Sequence, residues 1–263
     1  MRLRYYSKKA YVPSQHWALA RGVRPALLME GVRTEVERTI ARHAQPGGHR
    51  EVAVERHADG SVDLVVATRR GLARRILDAR RDPVRGAAES GRLLGYPACC
   101  VRAFIDGGLP GHDDLGHFRQ ALRRTRGAPR GLLNPLCDLA VVPFVPCRFD
   151  CPRALRLARA TLAACPPDEA RTIRRILGMP ILLWTDLDIV FFEGRATKGR
   201  VRYRRAGVNE AAPDFNRRRL LSGPLARGNS LEVEGAQVIV RRGKKTLLDA
   251  SFAPWSPLLV GWR

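Results

Sequence analysis

The 263-residue sequence has few acidic side chains, few lysines and few aromatic residues. It contains 25 Asp and Glu residues against 47 Lys and Arg residues, which gives a formal net charge of +22 at pH 7. Arginine supplies nearly all of this charge, because the lysines are only Lys8, Lys9, Lys198, Lys244 and Lys245. Since guanidinium groups bind phosphates and carboxylates in a bidentate manner, we expect an anionic ligand or nucleic acid as partner. A solvated basic surface is the alternative, since the sequence contains no recognised nucleic-acid-binding motif.

Long hydrophobic runs are also missing. The apolar stretches at residues 139–145 and 176–184 are short and are interrupted by Pro143, Gly178 and Pro180. A membrane-spanning helix needs about 18 consecutive apolar residues, and the sequence shows no signal-peptide pattern. Six cysteines are few for a chain of 263 residues, so a disulfide framework is not expected. We expect a cytoplasmic protein with reduced thiols and no membrane partner.

Hydrophobic periodicity predicts an α+β fold, with a helical cysteine-bearing core, an N-terminal hairpin and a β-rich C-terminal part. Alternating residues at 51–57 and 61–67 flank an Asp-Gly pair, which is typical of a hairpin. Apolar residues recur every fourth position after Pro25, which predicts a helix from Pro25 to about His43.

Strand-like patterns dominate after Gly178. We therefore predict two domains, a mainly helical domain with the hairpin at residues 1–178 and a basic, β-rich region at residues 179–263. Within the second region, residues 195–227 combine many arginines with prolines and glycines. This composition is typical of an exposed connection and predicts a mobile basic loop.

Four of the six cysteines lie in two short segments at residues 95–104 and 146–154. Each segment has a proline before its cysteines and an apolar pattern after it, so both are predicted to form the first turn of a helix. The positive end of a helix lowers the pKa of a thiol from about 8.5 to about 3.5–7.5. Both segments are therefore predicted to present thiolates, which bind metals or act as nucleophiles.

The predicted metal ligands are Cys99, Cys100, Cys147 and Cys151, with Cys137 and His117 as further candidate ligands. Adjacent helical residues project about 100° apart, so Cys100 should face the core while Cys99 flanks it. Binding of one metal by both would then require an irregular first turn, and Cys99 is favoured if only one of them is functional. Cys165 lies about 21 Å along the same helix from Cys151, so it is predicted to be a core residue.

Positive charge surrounds the predicted site. Arg102 and Arg148 lie in the two cysteine segments, and Arg153 and Arg156 lie on the helix that begins at Cys151. Such cations lower thiol pKa values and attract anions, so these four arginines are predicted to bind an anionic substrate.

The two cysteine segments resemble those of a family of uncharacterised archaeal and bacterial proteins. Its shared feature is a Gly-Tyr-Pro-x-Cys-Cys box, present here at residues 95–100, followed by a Pro-Cys-x-x-x-Cys box, present here at residues 146–151. The resemblance covers roughly residues 90–165 and implies that the two boxes act together. The resemblance implies no reaction, because the family is a domain of unknown function.

A cysteine-ligated metal protein is the function that these patterns favour, and an enzyme acting on an anionic substrate is one form of it. An iron–sulfur cluster is favoured over zinc, because zinc sites use cysteines two to four residues apart and Cys99 and Cys100 are adjacent. The first alternative is a metal-free thiol redox or sulfur-transfer enzyme that acts on RNA, with Cys99 as nucleophile. The second is a basic nucleic-acid-binding module whose cysteines are structural.

Overall fold

The computed structural model describes residues 13–32, 51–82, 85–107, 115–136, 139–184, 189–208, 215–253 and 256–263. The helices described are α1 Pro13–Ala20, α2 Leu72–Arg80, α3 Gly86–Leu93, α4 Ala98–Asp106, α5 Leu115–Arg124, α6 Pro152–Ala164, α7 Pro167–Leu177 and α8 Phe215–Arg227. The strands described are β1 Ala26–Val32, β2 Glu51–Arg56, β3 Val62–Ala67, β4 Ile181–Leu183, β5 Ile189–Thr197, β6 Arg200–Val208, β7 Ser230–Glu234, β8 Gln237–Arg242, β9 Lys245–Ser251 and β10 Leu258–Val260. Together they confirm the predicted α+β class.

The N-terminal part contains a three-stranded antiparallel sheet of order β1-β3-β2. The predicted hairpin is confirmed, with Gly60 at a φ of 80° in its turn. The predicted helix from Pro25 is wrong in its described part, because Ala26–Val32 forms strand β1. Leu27 belongs to the same buried cluster as Leu64 on one side of the sheet, whereas Ala26 belongs to the cluster on the other side. Successive residues are therefore buried on alternate faces, as in a strand, although an apolar residue also recurs at every fourth position. Residues 33–43 lie outside the described residues.

The helical middle shares its core with the beginning of the C-terminal sheet. Phe149 is fully buried and packs on Phe118 and Trp262, with ring centroids 4.7 and 5.2 Å away. Backbone hydrogen bonds of 3.0 and 2.8 Å join Arg263 to Gly131 and Pro129. The last residues of the chain therefore pack against the region that carries the second cysteine segment.

The C-terminal part is a seven-stranded antiparallel sheet of order β10-β4-β5-β6-β7-β8-β9. The predicted mobile loop at 195–227 is wrong for its described residues, which belong to β5, β6 and α8. Val201 and Tyr203 alternate with arginines and are buried, so the segment is a half-buried strand with its cations in solvent. Residues 209–214 lie outside the described residues.

Helix α7 ends at Leu177 and β4 begins at Ile181. The division into domains at residues 178 and 179 stays a prediction. Within the described part of the chain, none of the helices has both the length and the apolar character that a membrane span needs. The cytoplasmic location also stays a prediction.

Candidate metal centre

The structure brings the sulfurs of Cys99, Cys100, Cys147 and Cys151 together, all within 4.8 Å of one another. The Cys99 and Cys151 sulfurs are 3.7 Å apart, and the Cys100 sulfur is 4.0 Å from each of them. Cys100 and Cys151 are buried, whereas Cys99 and Cys147 are half-buried. Four soft ligands in this arrangement can hold a metal ion or cluster.

Helix α4 supplies the first pair of sulfurs. Pro97 is its N-cap residue, so Cys99 and Cys100 lie in the first turn, and Cys100 faces the core as predicted. We predicted that Cys99 and Cys100 could reach one metal only if the first turn were irregular. This is wrong, because both sulfurs lie within 4.0 Å of the Cys151 sulfur although both cysteines belong to a helix that starts at Ala98. Helical side chains tilt toward the N-terminus, so both sulfurs extend toward the end of the helix, where Cys151 lies.

A buried arginine fixes the turn that precedes α4. Arg24 is only 1% exposed, donates a 3.0 Å hydrogen bond to the Leu94 carbonyl and also donates to Gln15 Oε1. Its guanidinium carbon lies 5.1 Å from the centre of the Tyr96 ring. Gly95 has a φ of 77°, and a Cβ there would lie 2.8 Å from Pro25 Cδ, so this position requires glycine. No local sequence pattern marks Arg24 as part of this site, because it lies 70 residues from the turn that it holds.

The second cysteine segment is a turn followed by a helix. Cys151 is the N-cap residue of α6 and Pro152 is its first residue, which agrees with the predicted helix start at Cys151, whereas the prediction of a helical first turn is wrong for Cys147. Cys147 lies in the turn ahead of α6, and its backbone N–H donates to Cys100 Sγ at 3.4 Å. This bond joins the two segments directly.

Several bonds hold this turn in place. The Phe149 N–H donates to Thr125 Oγ1 at 2.9 Å, and the Phe149 ring lies in the core. The Asp150 carboxylate accepts hydrogen bonds from the backbone at residues 126–127 and forms an ion pair with Arg148 Nε at 3.3 Å. The separation of Cys147 and Cys151 is therefore set by contacts with the segment that follows α5.

The pKa values of three of these thiols are shifted in different directions. The hydrogen bond from the Cys100 thiol, together with one from the backbone N–H of Ala154, lowers the pKa of Cys151 to about 4. The same hydrogen bond, together with burial, raises the pKa of Cys100. Burial, which is the larger cause, and the hydrogen bond to Cys151 together raise the pKa of Cys147 to about 12. Without a metal, the cluster thus holds its negative charge on Cys151.

The other cysteine and histidine predictions have different outcomes. The His117 ring stacks on Phe104 with centroids 4.6 Å apart, and His117 is not part of the converging group of ligand atoms in the described part of the chain. Cys137 lies outside the described residues. Cys165 is buried and its thiol donates to the Thr161 carbonyl at 3.4 Å, which confirms that it is a core residue.

A cleft of about 310 Å³ opens beside Cys99. It is lined by Ala98, Cys99, Arg102, Ala103, Asp106, Arg124 and Arg153. Of the four arginines predicted to bind an anion, Arg102 and Arg153 line this cleft, Arg148 pairs with Asp150, and Arg156 is exposed elsewhere on α6. Arg124 was missed, because only the packing of α5 brings it to Cys99.

The charge in this cleft is unbalanced. Among the described residues, no ion pair engages Arg102, Arg124 or Arg153, and Asp106 is the one carboxylate in the lining. Cys100 contributes to a second cavity of about 650 Å³, in which the Tyr96 and Phe144 rings lie 4.5 Å apart and whose lining also includes Glu30 and Arg80. The cluster therefore borders two cavities, and the cationic one lies beside Cys99.

Comparisons with known proteins find a family model that matches the part of the chain with both cysteine boxes. Residues 52–169 match the model of a family described as "Protein of unknown function (DUF483)". A 98-residue segment is 29% identical to MJ1106, an uncharacterized protein of Methanocaldococcus jannaschii, and covers 36% of this chain and 45% of that protein. The chain thus spans less than half the length of this curated relative. No solved structure matches the chain significantly.

Proposed function

We propose a function from the site itself, since the family model that residues 52–169 match is described as one of unknown function. The four clustered cysteines bind one tetrahedral metal ion, with zinc as the first candidate, beside a cleft that receives an anionic group. The observation that carries this proposal is the convergence of four sulfurs from two distant segments within 4.8 Å.

The sulfur spacing favours a single ion. A tetrahedral site with metal–sulfur bonds of about 2.3 Å has sulfurs about 3.8 Å apart. The distances of 3.7 and 4.0 Å among Cys99, Cys100 and Cys151 match this value. In a [4Fe–4S] cluster each cysteine binds a different iron, and in a [2Fe–2S] cluster only the two cysteines on the same iron have sulfurs this close, so four sulfurs all within 4.8 Å of one another fit a single ion better. The spacing thus supports zinc over the cluster that the sequence patterns favour, and the cluster is the second metal candidate.

The surroundings suit the charge of such a centre. Four thiolates and one divalent cation carry a net charge of −2, and the N-termini of α4 and α6 both direct positive potential toward it. Four protein ligands are typical of a structural zinc site, whereas catalytic zinc keeps one position open. In this proposal the metal holds α4 against α6, and the chemistry or binding takes place in the cleft beside Cys99.

Metal analysis of protein purified without oxygen tests the metal centre. We expect about one zinc per chain and no visible absorption, and replacement of zinc by cobalt should give the visible bands of tetrahedral thiolate coordination. Iron, inorganic sulfide and broad visible absorption would instead support the cluster. Protein that takes up neither zinc, cobalt nor iron would refute the proposal.

A pair of arginine variants tests the anion cleft. Arg102→Gln and Arg153→Gln should each weaken binding of anionic ligands such as inorganic phosphate by about tenfold, because a charge-assisted hydrogen bond is lost. Arg156→Gln is the matched control, since Arg156 lies on the same helix outside the cleft. Equal small effects of all three variants would show that the cleft arginines only neutralise the thiolates.

A metal-free thiol enzyme is a second candidate, and the 3.7 Å distance between the Cys99 and Cys151 sulfurs favours it. In this case Cys151, rather than the predicted nucleophile Cys99, attacks a substrate disulfide as the thiolate, because the Cys100 hydrogen bond lowers its pKa, and one substrate sulfur leaves as a thiolate. The Cys99 thiol then loses its proton and displaces the second substrate sulfur, which forms a Cys99–Cys151 disulfide. Mass spectrometry of metal-free protein treated with a small disulfide should then show this bond and a loss of two hydrogens, and its absence would exclude the candidate.

A further inference from the structure

Two arginines face each other on the solvent side of the C-terminal sheet. Arg195 of β5 and Arg202 of β6 are directly opposite residues in the antiparallel register. Both are exposed, because the neighbouring Val201 and Tyr203 point into the core on the other face. The register is set by the short turn at Lys198 and Gly199, where Gly199 has a φ of 69°.

Nothing in the described part of the sheet neutralises this pair. Like charges directly opposite each other destabilise a sheet, and neither Arg195 nor Arg202 takes part in an ion pair among the described residues. The carboxylates of Glu193 on β5 and Glu232 on β7 have other partners. Glu232 pairs with Arg200, and Glu193 pairs with Arg204 at 3.1 Å.

The two arginines lie in a cationic surface. Arg195 and Arg202 line a cleft of about 700 Å³, and Arg195 also lines an adjoining cleft of about 520 Å³. Across the two clefts the charged lining residues are Arg175, Arg195, Arg200, Arg202, Arg204 and Glu193. The surface therefore offers several guanidinium groups in a row rather than one isolated anion site.

We propose that this sheet surface binds the phosphodiester backbone of a nucleic acid. Opposite Cβ atoms in a sheet are about 5 Å apart, so Arg195 and Arg202 can hold one phosphate between them, and the adjoining cleft takes a neighbouring phosphate. Tyr203 is the aromatic residue in this lining, but it is 5% exposed and its hydroxyl donates to the Leu225 carbonyl at 3.2 Å. The described lining thus offers guanidinium groups for phosphates and no exposed ring for bases, and because phosphate contacts carry no sequence information, recognition is independent of sequence.

Fluorescence anisotropy with labelled RNA oligonucleotides of two unrelated sequences tests this proposal on the full chain. The wild-type protein should bind both with similar affinity, and the logarithm of the affinity should fall with log salt by about 0.7 per phosphate contacted. The variant Arg195→Gln/Arg202→Gln should bind about tenfold more weakly or worse, with a salt slope smaller by about 0.7 for the one phosphate that the pair holds.

The control variant is Arg123→Gln/Arg159→Gln, which removes the same charge from exposed helical positions outside both clefts. Equal losses in the two double variants, or an affinity that is independent of salt, would overturn the proposal. Complete competition by inorganic phosphate at low concentration would also overturn it, since it would indicate a site for a small anion. Metal content should be unchanged in both variants, so this test is independent of the cysteine cluster.

Discussion

Replacement of Cys151 by serine is the sharpest test of the metal centre, with Cys165→Ser as its matched control. Cys151 is 2% exposed, and its sulfur lies 3.7 Å from that of Cys99 and 4.0 Å from that of Cys100. Serine retains the size of the side chain but does not supply a thiolate at neutral pH. Cys165 begins from a similar burial of 7%, at the other end of the same helix.

The expected effect follows from linkage between metal binding and folding. Free zinc at a hundred times its dissociation constant stabilises the folded protein by about 2.7 kcal/mol. For a chain of this size, that corresponds to about 5–10 °C in the melting temperature. Cys151→Ser should lose this increment, whereas Cys165→Ser should lose about 1 kcal/mol from its altered packing and retain its zinc.

The assay is a thermal melt with and without a chelator, together with elemental analysis of each variant. Chelation should lower the melting temperature of the wild-type protein and of Cys165→Ser, and should have little effect on Cys151→Ser. If Cys151→Ser does not fold, Cys147→Ser provides the same comparison from the turn ahead of α6. Equal metal content in wild type and both cluster variants would refute the assignment of these ligands.

Three other predictions follow from the structure. The raised pKa of Cys100 and the pKa of about 12 of Cys147 mean that both thiols are protonated at neutral pH, whereas Cys151 is ionised, so zinc must displace at least the two protons of Cys100 and Cys147. Its apparent affinity should therefore fall at least about a hundredfold for each unit decrease in pH between pH 8 and 6, measured by competition with a chromophoric chelator. A slope below two would contradict the proton count. Arg202→Gln should raise the melting temperature at low salt by up to about 2–4 °C, because it relieves the repulsion between this residue and Arg195. A lower melting temperature would argue against that repulsion. Arg24→Met should lower the free energy of unfolding by about 2–4 kcal/mol in urea titrations, since it leaves buried acceptors without donors. An unchanged unfolding midpoint would show that the turn is held by other contacts.

The local features of this protein could be predicted from its sequence. The Asp-Gly pair predicts the hairpin, and the alternation of apolar residues predicts most strands of the C-terminal sheet. The two cysteine boxes predict the cluster, because both lie at helix starts that are encoded within a few residues. Each of these features depends on interactions between residues that are close in the chain.

Other features depend on partners far away in the sequence. Residues 26–32 form a strand because β3 pairs with them, although their own spacing favours a helix. The strand β10 was missed because Leu258–Val260 is too short to show a period, and its pairing with β4 defines it. In both cases long-range hydrogen bonds outweigh local preference.

The geometry of the two candidate sites was likewise decided by tertiary structure. The sequence indicates which cysteines are suited to bind a metal, but the sulfur distances that favour a single ion arise where α4 meets the turn before α6. Arg124 reaches the cleft beside Cys99 through the packing of α5, and Arg175 joins the cleft of Arg195 through the packing of α7. A linear pattern specifies the chemistry of each side chain, whereas the distance between two side chains depends on how the elements that carry them pack together.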